Sequence, residues 1–484
     1  DLTELIIEGE LEVDGGSGSV SFSVHPGQRG DLWYGIRLEG DGAIGMDGLR
    51  MSGAGFAIHG DVSPLGRVHV ADSRFSGLVN GLHLTLFGDA LVDGSEFQGI
   101  TGPAVRAGGL GTMRLRHTMI ELNGQEGVWL SNANLEAIST TIRSNGQLDA
   151  DDPRSGIFAE GGAGQRLELW DSEVEANRRH GIEADDWLGQ IEMHRTSISS
   201  NRADGVRVNG AERTVFEDVE LLRNLGRGAD LAATTVEMWT TTATDNVAGG
   251  ARIGEGARAA VDMSHFSGNT LLLTGTSTAL VRNSDFSGTG VALHSNDAAP
   301  DIVANRFHNN TIAIRVDGAA VPGDIRTNTF TQNATAIDNR SGRTLSAPGN
   351  FWGTPDSTLI AGLMSGAVDY SGYLADEPVT TVVADEKQAP NASVLYGNWP
   401  NPFNGQTLIG FSLPSPAPIQ LSIYDVAGQL IWRHATGVAL MAGHHEIAWR
   451  GTDARGMPTA SGVYIYELRS RMQRVGIGRM MLLR

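Results

Sequence analysis

Short apolar–polar–apolar triplets, separated by Gly and Asn, run through most of this chain. Ser172-Glu173-Val174-Glu175-Ala176-Asn177 leads into Gly181-Ile182-Glu183-Ala184. Thr196-Ser197-Ile198-Ser199-Ser200-Asn201 leads into Gly205-Val206-Arg207-Val208, and Asp218-Val219-Glu220-Leu221-Leu222-Arg223-Asn224 into Gly228-Ala229-Asp230-Leu231. A period of two marks strands with one buried face, and Gly and Asn mark corners. The unit repeats. Asn123, Asn145, Asn177, Asn201, Asn224, Asn246, Asn269, Asn310 and Asn333 fall at steps of 22, 32, 24, 23, 22, 23, 41 and 23 residues, with Thr289 dividing the 41.

About 22 residues hold three short strands more easily than a helix, a strand and their loops, and the leucine pattern of leucine-rich repeats is absent. The pattern predicts an all-β chain: a right-handed parallel β-helix of about 22-residue coils, followed by a small antiparallel β-sandwich. The asparagines are expected inside a turn, each amide bonding those above and below. Asn also tolerates the left-handed backbone that a sharp corner needs. Phe75, Phe97, Phe266, Phe286, Phe307 and Phe330 precede the Asn position by three residues and are expected to stack inside. Asn350-Phe351-Trp352-Gly353 reads as the last coil, and resembles an Asn-aromatic-Trp-Gly phrase common in proteins of this fold.

The coils are expected over residues 1–374, a linker over 375–395 and the second domain over 396–484. The linker carries Asp376-Glu377-Pro378, Asp385-Glu386-Lys387 and Pro390-Asn391. With 64 glycines the chain suits a turn-rich coil, and with no cysteine it has neither disulfide nor thiolate metal site. No apolar run reaches membrane-spanning length and no signal peptide is visible, so the sequence reads as a processed form or a fragment. The net charge of −20 disfavours nucleic acid and anionic membrane as partners. Lys387 is the only lysine among 36 basic residues. A GC-rich genome or a salty habitat accounts for such a bias without reference to function.

Residues 396–484 alternate with frequent turns. Asn398-Trp399-Pro400-Asn401-Pro402-Phe403-Asn404, Tyr424-Asp425-Val426-Ala427-Gly428, Gly451-Thr452-Asp453 followed by Gly456, Ser461-Gly462-Val463-Tyr464 and the closing Met481-Leu482-Leu483-Arg484 stand out. Together they resemble the C-terminal sorting domains of type IX secretion substrates and the Ig-like domain of flagellar hook-capping proteins. The resemblance implies a bacterium of the Bacteroidota or a related lineage. It also implies the type IX machinery as partner, and a secreted or outer-surface location. A plain Ig-like spacer is the other reading.

Aligning the triplet after each Gly gives an outward row: Arg37, Ala57, His83, Arg106, Trp129, Phe158, Glu183, Arg207, Asp230, Arg252, Leu272, Ala292, Arg315 and Asp338. Neighbours in the row lie roughly 4.8 Å apart. Glu183, Arg207, Asp230 and Arg252 alternate in sign, which either fixes register as a charge ladder or forms a polar track for a sugar chain. In the second case Trp129 and Phe158 are the stacking platform, with Glu160, Arg207, Asp230 and Arg252 lining the track. A second row runs His69, Leu91, Arg114, Glu136, Glu168, Glu192, Val215, Glu237 and Asp262. Its carboxylates Glu136, Glu168 and Glu192 repel, relieved by proton uptake, by splaying into water or by a cation such as Ca²⁺.

Glu183 and Asp185 share one strand face, roughly 6.5–7 Å apart, a separation that serves acid/base hydrolysis. Glu160 and Asn209 are expected to flank Asp185, with Arg207 beside Glu183. Asp149, Asp151 and Asp152 of an insertion overhang the same area. Against catalysis, acidic residues are common throughout. The coils also have no lysine to act as a lyase base, and the full residue set of polygalacturonases is missing. His83, His180, His194 and His294 fall on different rows and suggest no metal cluster. Two functions follow: a non-catalytic surface protein that binds polysaccharide or cell-surface glycan, or stacks end to end with copies of itself, and a polysaccharide lyase or hydrolase centred on Glu183 and Asp185.

Overall fold

The computed structural model describes residues 4–15, 20–23, 33–147, 152–254, 256–275, 278–378, 394–399, 403, 405–413, 417–426, 428–436, 440, 443–453, 455, 457–471 and 473–483. Asp149, Asp151, Asp385-Glu386-Lys387, Pro390-Asn391, Pro400-Asn401-Pro402, Asn404, Ala427, Gly456 and Arg484 lie outside them. The chain divides into two compact units, Asp1–Ala384 and Asp385–Arg484.

Among the described residues the first unit is a parallel β-helix with three sheets of 16, 14 and 14 strands and a two-stranded pair, Leu345–Ser346 with Val368–Asp369. One coil contributes Ile182–Asp185 to the first sheet, Gln190–His194 to the second and Ser197–Ser199 to the third. The next coil contributes Val206–Asn209, Arg213–Glu217 and Glu220–Leu222. Alternation turns Ile182, Ala184, Ile191, Met193 and Ile198 inward, and all are buried. Each large aliphatic buried in this way contributes roughly 1.5–3 kcal/mol, so the core is a long column of stacked side chains.

The asparagines form the expected ladder at the corner between the third and first sheets. Asn145, Asn177, Asn201, Asn224 and Asn246 each donate from Nδ2 to the Oδ1 of the next at 2.9–3.1 Å. Each Oδ1 also takes the backbone N–H of the asparagine below, as Asn201 does from Asn177 at 3.0 Å. The left-handed backbone, however, belongs to the preceding residue: Ser144 (φ 55°), Ala176 (53°), Ser200 (57°), Arg223 (53°) and Asp245 (57°). That residue turns the corner, and the turn aims the following amide inward. An ordinary side chain there costs about 1–2 kcal/mol, offset by the buried bonds that the amide gains. The ladder breaks between Asn269, whose Nδ2 donates to Asn246 O and Gly268 O, and Thr289; Thr289 donates its N–H to Asn310 Oδ1 at 3.1 Å, and the full pattern resumes from Asn310 to Asn333.

A second ladder, not anticipated from the sequence, braces the corner between the second and third sheets. Ser73 donates its N–H to Ser95 Oγ, and Thr140 to Ser172 Oγ, both at 3.1 Å. Further along, Ser264, Ser284, Asn305, Asn328 and Asn350 continue the same pattern. Its corners too are turned by a left-handed residue, such as His117 before Thr118 and Asp171 before Ser172. Asn350 of the expected last coil thus sits on this ladder. The six phenylalanines are buried in two stacks: Phe75 on Phe97, and Phe266, Phe286, Phe307 and Phe330 ending on Trp352 at 4.6 Å. Beyond Trp352, helix Ser357–Gly362, capped by Asp356, buries Ile360 in the same core.

The second unit is antiparallel. Val394–Trp399, Thr407–Leu413 and Gly443–Trp449 form one sheet; Ile419–Asp425, Leu430–Ala435, Gly462–Ser470 and Gln473–Leu482 form the other. Phe411, Leu421, Ile423, Trp449, Tyr466 and Leu468 fill its core.

Candidate functional site: the outer face of the first sheet

The register of the first sheet gives the outward row Arg37, His59, His83, Arg106, Trp129, Phe158, Glu183, Arg207, Asp230, Arg252, Leu272, His294, Arg315 and Asp338. Two expected members are corrected: Ala57 and Ala292 are fully buried, and His59 and His294 hold their places. A column of small inward residues precedes each inward pair. It holds Gly in most coils but Ala at 57, 104, 292, 313 and 336 and Thr at 270. Counting from Gly55 and Gly290, two residues before Ala57 and Ala292, places the row two residues early in those two coils.

The first half of the row is aromatic. Tyr34 meets Phe56 at 5.3 Å and His59 at 5.2 Å, and Phe56 meets His59 at 4.8 Å and His83 at 5.7 Å. The Arg106 guanidinium lies 4.1 Å over the Trp129 ring, and Trp129 packs edge-on against Phe158 at 5.9 Å. Trp129 Nε1 donates to Glu160 at 3.3 Å. All these rings are half-buried. From His59 to Phe158 the strip is about 19 Å long at one strand spacing per coil. A groove of about 170 Å³ opens between Phe56, Asn80, His83, Arg106, Gln125 and Trp129. A second, of about 310 Å³, lies across Arg106 against Gly108, Gly109, Ser131 and Asn132. Burial, with Arg106 and His59 nearby, lowers the His83 imidazole, which is therefore neutral at pH 7. Of this strip the sequence alone points only to Trp129 and Phe158 as a platform. His59 emerges when the row is counted from the small column whether it holds Gly or Ala, and Tyr34 and Phe56 stand just before that column.

The second half is charged. Arg252 pairs with Asp230 at 2.7 Å, and Arg227 joins Asp230 at 3.3 Å. Arg207 lies between Glu183 and Asp230 in register, yet is exposed and forms no ion pair among the described residues. The alternation is therefore only partly a ladder of contacts.

Glu183 and Asp185 leave one strand face as expected, in different environments. Glu183 is 5% exposed, and its Oε2 takes Ser155 Oγ at 2.7 Å and Arg179 at 3.0 Å. Asp185 is exposed and accepts Asn209 Nδ2 at 3.1 Å, with Glu160 opposite on the preceding coil. Behind Glu183, burial with Arg179 and Arg207 nearby lowers the His180 imidazole to about 4. Neutral at pH 7, it accepts the Asp204 amide on Nδ1 at 3.1 Å. Burial also raises the Glu126 carboxyl, 3.6 Å from Arg154. Glu183 is thus enclosed by a buried polar network, while Asp185 faces solvent.

The carboxylates of the second sheet are interleaved with cations. Glu136 pairs with Arg114 at 3.1 Å and Arg116 at 3.4 Å, and Glu168 with Arg166 at 3.4 Å. Glu192 pairs with Arg213 at 3.1 Å. Burial and neighbouring Glu192 push the Glu168 carboxyl up. Burial would raise Glu192 as well, but His194 and Arg213 outweigh it and hold Glu192 low. Among the described residues no group of three His, Asp or Glu is placed to hold a metal. Arginines take up the repulsion for which Ca²⁺ was considered. Asp262 is corrected out of this row: Glu237 faces Ala260, and Asp262 lies two residues on, paired with Arg282 at 2.6 Å.

The family model for the right handed beta helix region matches residues 62–238 and 189–351. The chain belongs to this family. In the second unit, residues 397–472 match the FlgD Ig-like domain. No curated protein sequence matches. Among solved structures, the β-helix chain is similar to the A-module of mannuronan C-5 epimerase AlgE6 of Azotobacter vinelandii, at 10% identity and TM-score 0.32 over 78% of this chain and 91% of that one. The AlgE4 A-module of the same organism gives 12% identity and TM-score 0.34 over 73% and 91%. Pectate lyase Pel9A gives 13% and 0.23 over 80% and 91%. These are likenesses of fold, and nothing about the site rests on them.

Proposed function

We propose that this β-helix binds a polysaccharide or cell-surface glycan on the outer face of its first sheet and performs no chemistry on it. The carrying observation is the half-buried strip of Tyr34, Phe56, His59, His83, Trp129 and Phe158. An outward row on a solvated sheet is ordinarily polar, and clustered aromatics there mark a surface kept for a ligand. A pyranose ring offers an apolar C–H face to such rings and hydroxyls to Glu160, Arg207, Asp230 and Arg252 beyond them. Export through the type IX machinery, to the medium or the outer surface of a Gram-negative cell, belongs to the same proposal and rests on the phrases in residues 396–484.

The test is a glycan array probed with the full chain and with Trp129→Ala and Phe158→Ala variants. Binding that the variants abolish supports the reading; binding indifferent to both would sink it.

A second reading, lysis or hydrolysis at Glu183 and Asp185, is favoured by the exposed Asp185–Asn209 pair beside Arg207. It is weakened by the pinning of Glu183 between Ser155 and Arg179. New reducing ends or unsaturated products from a polysaccharide panel, lost in Glu183→Gln and Asp185→Asn, would establish it. Stacking of copies end to end is not part of the proposal, because the chain turns into helix Ser357–Gly362 after Trp352, with Ile360 in the core.

A further inference from the structure

We infer that the two grooves meeting at Arg106 form a subsite for an anionic sugar residue, one bearing a carboxylate or a sulfate, with the Arg106 guanidinium as its counter-ion. The inference rests on the polysaccharide-binding reading and specifies its ligand.

Three other arginines of the row supply the contrast, while Arg207, also without an ion pair, is exposed rather than half-buried. Arg37 is held by Glu39 at 2.6 Å and Glu4 at 3.3 Å, Arg252 by Asp230 at 2.7 Å, and Arg315 by Asp338 at 3.1 Å. Arg106 has no carboxylate at ion-pair distance among the described residues. Among the half-buried arginines of the row Arg106 stands apart in this, in a chain with 56 acidic and 36 basic residues. Trp129 fixes its guanidinium at 4.1 Å by stacking, which orients the group without neutralising it. The planar fork then remains available for a bidentate oxyanion, the geometry shared by carboxylates and sulfates.

The surroundings fit a sugar. On one side of Arg106 the groove offers the amides of Asn80 and Gln125 beside Phe56. On the other, Gly108 and Gly109 lower the floor, with Ser131 and Asn132 at hydroxyl-bonding positions. The first groove touches the starts of the strands and the second their ends. The subsite therefore spans the strand direction at Arg106, one station along the row. Nucleic acid is a poor occupant: its one charge per roughly 1.7 Å needs a field of cations, and this chain carries a net −20.

Affinity electrophoresis of the full chain tests this in gels containing polygalacturonate, dextran sulfate, neutral dextran or poly-glutamate. Retardation is expected to be greater in polygalacturonate or dextran sulfate than in dextran, and whichever is stronger names the anion. Arg106→Gln is expected to weaken that retention by about tenfold or more, and to leave any dextran retention unchanged. Arg106→Lys keeps part of it, and Arg315→Gln, the paired control, keeps all. Thermal melts establish that each variant is folded. Equal retention of wild type and Arg106→Gln in the anionic gels overturns the inference and leaves the polysaccharide reading standing, as does wild-type retention by dextran alone. Equal retention by poly-glutamate and polygalacturonate overturns the sugar assignment. A folded wild type retarded in none of the gels overturns both.

Discussion

His194 lies flat on Trp170, ring centroids 3.8 Å apart and planes within 8°, with Glu217 at 3.0 Å from Nδ1 and Glu192 at 3.8 Å from Nε2. The second contact is one of charge, too long for a hydrogen bond, so most of the clamp is due to Glu217. Burial alone would lower this imidazole; the two carboxylates outweigh burial and raise it from 6.5 to about 9.

A pH dependence follows. Because the folded value lies above the unfolded one, the stabilisation is fully present below about pH 6.5 and is lost as pH rises through about 9. It amounts to a few kcal/mol at most. Chemical denaturation at pH 6, 7.5 and 9.5 is expected to show wild type losing stability across this window. His194→Gln should lose less. An equal slope in both would remove His194 as the source.

The asparagine ladder is expected to be weakest to damage at its middle. Asn201→Ala removes the acceptor of Asn177 N–H and Nδ2 and the donor to Asn224 Oδ1 and Val174 O. Leaving several buried groups unpaired costs about 1–3 kcal/mol each. Asn333→Ala, at a half-buried rung, strands fewer and should lower the melting temperature less. Equal shifts would contradict the ladder account.

Gly181 has no room for a side chain. A Cβ there would stand 2.6 Å from Gly205 O, 2.7 Å from Asn201 Nδ2 and 2.9 Å from Ile198 Cγ2. Gly181→Ala is expected to destabilise by about 1–3 kcal/mol and Gly181→Val by more, read from denaturant midpoints. Neutrality of the valine variant would mean that the corner gives way more easily than its contacts suggest.

If Glu183 is a strut rather than a catalyst, Glu183→Gln lowers the melting temperature through loss of the Arg179 pair, and glycan binding at Trp129 persists. Loss of binding without loss of stability would move Glu183 into the site.

Calcium is expected to do little at Glu136, Glu168 and Glu192, whose charge is already answered by Arg114, Arg116, Arg166 and Arg213. Melting curves with calcium and with a chelator should coincide. A calcium-dependent rise in melting temperature, abolished in Glu168→Gln, would restore the cation reading.

Much of this molecule is legible in residue order. The Asn steps, the triplets and the Phe column lead to the coil, to the inward residues and to the Trp129–Phe158 contact. The second ladder escapes notice because Ser and Thr are common everywhere and gain meaning only when Ser73, Ser95, Thr118 and Thr140 are seen at one corner. His59 and His294 are hidden from a count that starts at Gly55 and Gly290, which stand two residues before Ala57 and Ala292 of the small column.

By itself the sequence determined most of the side chains that enter the core, Ala57 and Ala292 excepted, since a period of two leaves each strand residue only two directions, and burial selects between them. Tertiary structure alone decided what each outward side chain touches. Coils stand roughly 4.8 Å apart, and an arginine reaches neighbours on its own strand and on both adjacent ones. Arg252 and Arg106 read alike in the row. Only the folded chain sets one against Asp230 and the other over Trp129 with its charge unanswered.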